Sequence, residues 1–485
     1  MMRDCREETQ NASVPPPAEL RPAQAARGER GIDKKRRKDM FMKKIVIIGA
    51  GSSMFTKKLL GDLLSFDDMK VDEFALVDIN AEKLGVMEKV AHKLCRQFGK
   101  SVKVSATVTR REALPGASFV INTIGVGGVA AYHRDLEIPD KYGLSQCIGD
   151  IIGPGGMFRF LRAYPELLRM CRDMEELCPD AYFFNYTNPM APLCLALSKE
   201  TSIRIFGFCH NVQSTAQQLS NYLQVDESRI SYWAAGINHM DWFLEYKVDG
   251  KDAYPELFKI SQNREDIIKL SDYEQDYRGM GVHLVDLVRF KIMHNFGRFP
   301  SESPFHMGEY VPYFRKNQQL IEDYMVTNRW WLAHEEAADE YFDILKGMLE
   351  KDEEIPCKKT FEYAPEIIHA NITGKPFRAN LNVKNTGLIT NLPANCVVEV
   401  PCYTDSEGIH PCYVGELPYA LAALNLTNVN MHIGMAKAAN EKKIKLIYDA
   451  VKMDPLTGAQ LTLDQIDAMV AEMIEANREY LTDFE

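Results

Sequence analysis

The stretch KKIVIIGAGSSMF, residues 43–55, constrains the fold of this chain more than any other feature of its sequence. It contains a β-branched run, Ile45 to Ile48, then Gly49 and Gly51 in a short turn, and it leads into a segment with helical spacing. A buried strand, a tight glycine turn and a helix, in this order, open a dinucleotide-binding Rossmann fold. Met54 replaces the third glycine of the usual fingerprint, so the motif alone is a weak indication.

Further strand-like runs also end in polar sequence. FALVDI carries Asp78, slightly farther from the glycine turn than the roughly 20 residues at which a Rossmann unit places its ribose-binding acid. Three later apolar runs end near Asn122 and Gly125, at residues 185–188, and at Cys209. Segments with helical periodicity separate these runs, which predicts a doubly wound parallel sheet with a ligand site beyond the carboxyl ends of its strands.

The pattern changes after about residue 215. Long helical segments follow, then a β-rich stretch with glycine and proline turns over residues 380–415, and then a mostly helical C-terminal part. We therefore predict an α/β chain in which a Rossmann-like domain precedes an α+β domain. The predicted regions are a disordered N-terminal extension over residues 1–42, the Rossmann-like domain over residues 43–215 and the α+β domain over residues 216–485.

Composition excludes several classes of partner. The formal net charge is −11 at pH 7, and an acidic protein is a poor match for nucleic acid or an anionic membrane surface. The sequence contains no apolar run of the roughly 18 residues that a membrane span needs. Its eleven cysteines are an odd number with no CxxC pair and no preceding secretory segment, so we expect free thiols in a reducing cytoplasm.

The stretch GFCHN places Cys209 and His210 together at the end of a strand, and His239 follows in GINHMDW, another strand-like segment that ends in a polar turn. A thiolate and imidazoles with open positions would suit a catalytic divalent cation rather than a structural zinc ion. The alternative is a buried cysteine that acts as a small hydrophobic residue beside ordinary histidines.

Three other stretches carry polar groups, and for each the sequence allows both a functional and a purely structural interpretation. NYTNPM places Asn188 at an Asn-Pro step, which either aims an amide at a ligand or only forms a turn. IGPGGMFRFLR, residues 152–162, puts glycines before an arginine-rich helix, which suits anion contact or a plain loop-to-helix transition. RFPSESPFHMGEY holds Glu302 in a rigid non-helical segment, where its carboxylate is either catalytic or simply solvated.

Taken together, six ordered motifs resemble the signature series of glycoside hydrolase family 4, the NAD- and manganese-dependent glycosidases: IGAGSSMF, VDIN, GPGGMFRFLR, NYTNPMA, GFCHNVQ and AGINHMDWF. Two later stretches, NLPANCVVEVPCY and YVGELPYALAALNLTNVN, resemble the bacterial α-galactosidase branch of that family. The resemblance runs from about Lys43 to the C-terminus and implies the architecture of lactate and malate dehydrogenases, with a catalytic α+β domain that binds substrate and metal.

The resemblance also implies residue roles. Cys209 and His239 would bind Mn²⁺ or another divalent cation. His210 would assist the leaving group, and Glu302 would be the base, although phosphoglycosidases of the family use a tyrosine from a nearby segment. NAD would contact residues near the strand ends: Gly49, Gly51, Ser52, Ser53, Asp78, Asn122 and Gly125. The sugar would contact Asp150, Asn188, Asn211 and Arg289. The family's α-galactosidases usually have serine where this chain has Asn211, which leaves the sugar preference open.

The implied activity is hydrolysis of a small-molecule glycoside, an α-galactoside such as melibiose. NAD⁺ would take hydride from sugar carbon 3, which makes the proton on carbon 2 acidic, and the cation would stabilise the resulting enediolate. The base would remove that proton, the aglycone would leave from carbon 1, and water addition and return of the hydride would complete the cycle. Family members are commonly homodimers or homotetramers.

Three alternatives stay open. An α-glucosidase, α-galacturonidase or glucuronidase of the same family would share the mechanism and differ in the groups that face the sugar. An NAD-dependent hydroxy-acid dehydrogenase would share the Rossmann half, need no metal and accumulate NADH. A non-catalytic NAD-sensing module would leave the placement of the cysteine, histidine and glutamate residues unexplained.

Overall fold

A mixed sheet forms the centre of the protein in a computed structural model that describes residues 43–271, 284–327, 330–360 and 362–485, with side chains described outside residues 330–339. Its strands are β1 Lys44–Ile48, β2 Glu73–Val77, β3 Lys103–Thr107, β4 Ala117–Asn122, β5 Tyr182–Asn185, β6 Arg204–Gly207, β7 Ile230–Ile237, β8 Met240–Val248, β9 Lys251–Asp252, β10 Phe377–Lys384, β11 Val397–Asp405 and β12 Gly408–Pro411.

Helices connect and cover these strands. In chain order they are α1 Ser53–Leu64, α2 Ala81–Gln97, α3 Arg110–Ala113, α4 Gly128–Lys141, α5 Gly153–Leu177, α6 Met190–Glu200, α7 Asn211–Tyr222, α8 Tyr254–Ile260, α9 Arg264–Ser271, α10 Leu287–Phe296, α11 Pro304–Tyr310, α12 Gln318–Asp323, α13 Trp330–Glu350, α14 Tyr363–Thr373, α15 Tyr419–Glu441, α16 Ile444–Lys452, α17 Pro455–Gln460 and α18 Leu463–Ala476.

The first six strands are parallel and lie in the order β3, β2, β1, β4, β5, β6. All five residues of β1 are buried, because a parallel strand with helices on both faces has no solvent side. This confirms the predicted doubly wound sheet of a Rossmann-like fold. Strand β3 is absent from the prediction because its partly exposed sequence, KVSAT, contains no apolar run.

The sheet continues past β6 into the C-terminal half. Strand β10 pairs antiparallel with β6 through Asn382 and Gly207, and β11 pairs antiparallel with both β10 and β7. The hairpin of β7 and β8 then extends the sheet to β9. The described residues from Lys43 onward form one compact unit, and the predicted boundary at residue 215 lies inside α7. The division into domains therefore stays a prediction.

Several predicted elements differ in their limits from the observed ones. Helix α5 begins at Gly153, so the glycines of IGPGG lie inside its first turn. A side chain at Gly155 would place its Cβ 2.1 Å from the Gly149 carbonyl oxygen, which shows that the glycine allows close packing of α5 on the preceding loop. One of the long helical segments predicted after residue 215, over residues 273–296, is observed as α10 from Leu287, and residues 284–286 are not helical. Residues 272–283 and the predicted disordered residues 1–42 lie outside the described residues.

The expectations about membrane spans and cysteines can be compared with the described residues. None of the helices described here is both long and apolar enough to cross a membrane. The ten cysteines in the described ranges are all free thiols.

Candidate active site

Three of the predicted site residues converge in one buried cluster. Sγ of Cys209 lies 3.2 Å from Nε2 of His239, and the carboxylate of Glu302 completes a group whose ligand atoms all lie within 4.8 Å of one another. All three side chains are buried. The sequence predicted the first two as metal ligands and the third as a base, and the geometry makes all three available to one cation.

The strand register explains why Cys209 and His239 meet. A row of paired residues crosses four neighbouring strands, from Gly207 on β6 through Asn382 on β10 and Glu399 on β11 to Gly236 on β7. The cysteine follows the first residue of this row by two positions, and the histidine follows the last by three. His239 itself forms the tight turn between β7 and β8 with a φ of 64°.

Glu302 lies between α10 and α11 and has a φ of 71°, a conformation that a residue with a side chain adopts only at a cost. Its backbone holds it there: the amide donates to Oγ1 of Thr215 at 3.1 Å, and the carbonyl oxygen accepts from the guanidinium of Arg289. The side chain is 1% exposed, so the alternative of a solvated carboxylate is wrong.

Arg289 is fully buried on α10 and uses its five N–H donors within the protein. These donors contact Asp286, Thr215, Gln218 and the Glu302 carbonyl oxygen. Its predicted contact with substrate stays a prediction, and one of its observed contacts holds the backbone of Glu302.

His210 occupies the N-cap position of α7, directly after the cysteine. Its Nδ1 lies 3.7 Å from a carboxylate oxygen of Glu362, close enough for an ion pair when the imidazole is protonated. Glu362 is the N-cap residue of α14, in the C-terminal half. A carboxylate that the sequence reading missed therefore faces the predicted leaving-group residue.

Asp150 is 2% exposed, and one of its carboxylate oxygens lies 3.5 Å from Nη1 of Arg159. The loop that carries it is held by Glu309, whose carboxylate accepts the amides of Cys147, Ile148 and Gly149 at 2.6 to 3.0 Å. Glu309 also accepts from the side chain of Gln146. The predicted sugar contact of Asp150 therefore depends on a second carboxylate from α11.

The glycine turn and Asp78 form the predicted dinucleotide end of the site. Gly49 has a φ of 90°, and the amide of Gly51 donates to Oδ2 of Asp78 at 2.7 Å. A side chain at Gly51 would meet that carboxylate oxygen at 2.7 Å. Ser52 caps α1 by accepting from the amide of Phe55, and Ser53 is buried in its first turn. Asp78 has lone pairs left for a ribose hydroxyl.

The remaining predicted residues lie at the ends of neighbouring strands. Nδ2 of Asn122 donates to Asn185 and Thr187 at 2.9 Å, so this amide ties β4 to β5. A Cβ at Gly125 would meet no atom within 4 Å. Oδ1 of Asn188 is buried and, among the described residues, accepts no hydrogen bond. An unsatisfied buried oxygen is costly, which supports the reading of this amide as a ligand contact.

Asn211 is fully buried, and its Nδ2 donates to Asp241 at 2.8 Å and to the Ser301 hydroxyl at 3.1 Å. Asp241 and Glu399 are also fully buried, and their carboxyl groups are near enough to share a hydrogen bond when one of them is protonated. Burial raises the pKa of both carboxyl groups above the usual range, and each carboxylate would repel the other. The pair therefore retains a proton near neutral pH, whereas isolated carboxyl groups are ionised at that pH.

Burial raises the pKa of the Cys209 thiol well above its usual range, and the charges of Glu302 and Glu399 raise it further. Without a cation the thiol is neutral at neutral pH. A divalent cation would favour the thiolate, because the deprotonated sulfur is the form that binds a metal.

Two further residues near the cluster were missed in the sequence. Tyr310 is buried, with its ring centroid 6.4 Å from that of His239, and its hydroxyl has no hydrogen-bond partner among the described residues. His432 is buried on α15, where burial and the nearby His239 lower its pKa to about 4, so its imidazole is neutral. Neither has a local sequence signal, because the fold alone brings them to the cluster.

The Rossmann-like sheet and the buried thiol, imidazole and carboxylate beside it define an α/β enzyme. Residues 44–225 match the family described as Family 4 glycosyl hydrolase, and residues 234–457 match the Family 4 glycosyl hydrolase C-terminal domain. The chain is 39% identical to an alpha-galactosidase of Bacillus subtilis (strain 168) over 446 residues, which are 91% of this chain and 100% of that protein.

A second relative, an alpha-galactosidase of Rhizobium meliloti (strain 1021), is 32% identical over 452 residues, which are 91% of this chain and 89% of the relative. A solved 6-phospho-alpha-glucosidase from gut microorganisms, in complex with NAD and Mn²⁺, has a TM-score of 0.76 at 21% identity, covering 92% of this chain and 100% of its own. The chain therefore belongs to family 4 of the glycosyl hydrolases and is a glycosidase, which confirms the resemblance.

Replacement of Glu309 by glutamine tests the contact that holds the Asp150 loop. The amide of Glu309→Gln would face two N–H donors, so we expect the free energy of unfolding to fall by on the order of 3 kcal/mol. Urea denaturation measures this change. Glu112→Gln, at an exposed carboxylate that accepts from Thr107, should change stability by less than about 0.5 kcal/mol. Equal stability of the two variants would contradict this role of Glu309.

Proposed function

We propose that this glycosidase hydrolyses α-galactosides and that it acts with bound NAD and a bound divalent cation such as Mn²⁺. The observation that carries the proposal is the convergence of Cys209, His239 and Glu302 beside a Rossmann-like sheet. Most glycosidases place two carboxylates on either side of the scissile bond, and NAD-dependent enzymes are an exception to that arrangement. A thiol and an imidazole next to the carboxylate fit the exception.

The donor set fits a cation that keeps positions open. Cys209 and His239, even with Glu302 beside them, supply at most three ligands, which is too few for a closed four-coordinate structural site and leaves positions for sugar oxygens. The glycine turn fits a dinucleotide, because glycines let the backbone approach a pyrophosphate and Asp78 stands at the ribose position. When bound, NAD supplies a reversible hydride acceptor and the cation supplies a Lewis acid.

The side chains of this chain would handle the protons. Glu302, buried beside the cluster and held by Arg289 and Thr215, would remove the proton from sugar carbon 2. His210, which faces Glu362, would give a proton to the leaving oxygen at carbon 1. Glu302 is buried and His210 is partly buried, which limits the access of water to both groups and strengthens their electrostatic effect.

Sugar recognition would come from Asp150 and Asn188, whose oxygens are suited to accepting hydrogen bonds from sugar hydroxyls. The two α-galactosidase relatives support an axial hydroxyl at carbon 4 as the preferred configuration. An α-glucosidase or uronic-acid glycosidase with the same mechanism is the second candidate, since Asn211 departs from the residue usual in α-galactosidases. Asn211 would act on substrate preference indirectly, because its amide contacts Asp241 and Ser301.

The proposal also includes the cell compartment and the assembly. Cys209 can bind a cation only as a reduced thiolate, which favours a cytoplasmic location. A homodimer or homotetramer, as is common in the family, is the assembly we expect.

Hydrolysis of p-nitrophenyl α-galactoside should require both cofactors. We expect metal-free and NAD-free protein, kept in reductant, to be inactive with either NAD⁺ or Mn²⁺ alone and active with both. The reason is that the elimination needs an oxidised carbon 3 and a cation on the same sugar. Nitrophenol release at fixed enzyme concentration measures this.

A substrate panel serves as the control for that experiment. Activity on the α-glucoside or α-galacturonide, with none on the α-galactoside, would replace the proposed sugar and keep the mechanism. Activity in protein verified free of both cofactors would contradict the mechanism itself, and net NADH formation from a hydroxy acid would favour a dehydrogenase.

Replacement of Glu302 by glutamine separates a base from a metal ligand. We expect Glu302→Gln to lower kcat by about 10² to 10⁴, because proton removal is lost, while the affinity for Mn²⁺ falls by less than about tenfold. Titration of Mn²⁺ in the absence of substrate measures the second quantity. Cys209→Ser is the reference for loss of a ligand, and an equal loss of Mn²⁺ affinity in Glu302→Gln would show that Glu302 acts mainly as a ligand.

A further inference from the structure

A buried network of six side chains lies behind the cation cluster, and only Asn211 among them has a role in the proposed function. We call it the carboxyl network, and its members are Asn211, Asn238, Asp241, Ser301, Asn382 and Glu399. All six side chains are at most 1% exposed. Asp241 and Glu399 accept the hydrogen bonds of the other members, and their two carboxyl groups face each other at its centre.

Each half of the pair collects its own donors. Oδ2 of Asp241 accepts from Asn211 at 2.8 Å and from the Ser301 hydroxyl at 3.1 Å. Oε2 of Glu399 accepts from Nδ2 of Asn238 and from Nδ2 of Asn382, both at 3.0 Å. The pair is therefore bonded on both sides, which is what allows two carboxyl groups to remain buried.

Four members of the carboxyl network lie within two positions of a cluster residue along the chain. Asn211 follows Cys209 by two positions, and Ser301 immediately precedes Glu302. Asn238 and Asp241 stand on either side of His239. The network thus contacts every segment that carries a cluster residue, although those segments are far apart along the chain.

Glu399 differs from these members, because it comes from β11 rather than from a segment that carries a cluster residue. It stands in the register row between Asn382 of β10 and Gly236 of β7. Its carboxyl group reaches Asn238 on one side and Asp241 on the other. It therefore joins the turn of His239 to the sheet at the junction of the two halves.

We propose that Glu399 is a positioning residue for the cation site, and that it sets the affinity for the cation by holding Asn238 and Asp241 on either side of His239. The inference rests on the proposed function, since it assumes that the cluster binds a divalent cation. Groups that orient metal ligands from behind are commonly needed for tight binding, and their loss costs about 10- to 100-fold in metal affinity or activity.

Two substitutions at position 399 separate hydrogen bonding from charge. Glu399→Leu leaves the amides of Asn238 and Asn382 without an acceptor, so we expect the Kd for Mn²⁺ to rise by about 10- to 100-fold. In Glu399→Gln the carbonyl oxygen can accept both amides and the NH₂ group can donate to Asp241, so we expect a change of less than about threefold. Both values are measured on metal-stripped protein by electron paramagnetic resonance of free Mn²⁺, without substrate.

Thr404→Val is the matched control. Thr404 is buried on the same strand and lies outside the carboxyl network, so this nearly isosteric change should leave Mn²⁺ affinity unaltered. Affinity for NAD⁺, measured by titration, should be unchanged in all variants and reports that the fold is intact. If Glu399→Leu does not fold, Ser301→Ala tests the same network with a smaller change, and a roughly tenfold loss of Mn²⁺ affinity is expected.

Several outcomes would overturn the proposal. One is wild-type affinity for Mn²⁺ in the folded Glu399→Leu variant or, if that variant does not fold, in Ser301→Ala. Another is a loss of Mn²⁺ affinity in Thr404→Val as large as the loss in Glu399→Leu. A loss in Glu399→Gln as large as in Glu399→Leu would show that charge acts, not positioning. Failure of the wild-type protein to bind Mn²⁺ would instead refute the proposed function, which keeps the two failures distinct.

Discussion

The paired row that runs from Gly207 through Asn382 and Glu399 to Gly236 is the constraint on which the site depends. It joins the last parallel strand of the Rossmann-like half to the hairpin that carries His239. Glycine is required at both ends of the row, since a Cβ at Gly207 would lie 2.8 Å from Cβ of Asn382, and one at Gly236 would lie 2.4 Å from a backbone oxygen. A cysteine and a histidine from different halves meet because this register is fixed.

The site is built at a cost to stability that other contacts offset. Two buried carboxyl groups and a glutamate in a left-handed conformation are each unfavourable for folding by themselves. The structure compensates them with specific hydrogen bonds: asparagine amides donate to Glu399, Arg289 donates to the Glu302 carbonyl oxygen, and Thr215 accepts from the Glu302 amide. This arrangement is typical of an active site, where geometry is maintained against local strain because the reaction needs it.

The sequence was sufficient for the parts of the site that have local patterns. Apolar runs predicted the parallel strands, and the polar residues at strand ends included both Cys209 and His239, which the structure brings together. The assignment of the glycine turn to a dinucleotide stays a prediction. The sequence was insufficient for groups supplied by distant elements, such as Glu309, Glu362 and His432, because their role depends on packing. The sequence does mark Glu399, because it is a charged residue inside the apolar strand sequence VVEV. A charged residue in such a strand is rarely buried without a partner. The burial of Glu302 could not be read from a polar, proline-rich segment.

In the proposed mechanism a base of this protein removes the proton from sugar carbon 2 before the aglycone leaves. Hydrolysis of an α-galactoside in D₂O, followed by NMR of the released sugar, tests this step most directly. We expect deuterium at carbon 2 of the product, because the proton taken by Glu302 is replaced from solvent when water adds. A product with hydrogen alone at carbon 2 would contradict this mechanism and would favour direct displacement at carbon 1.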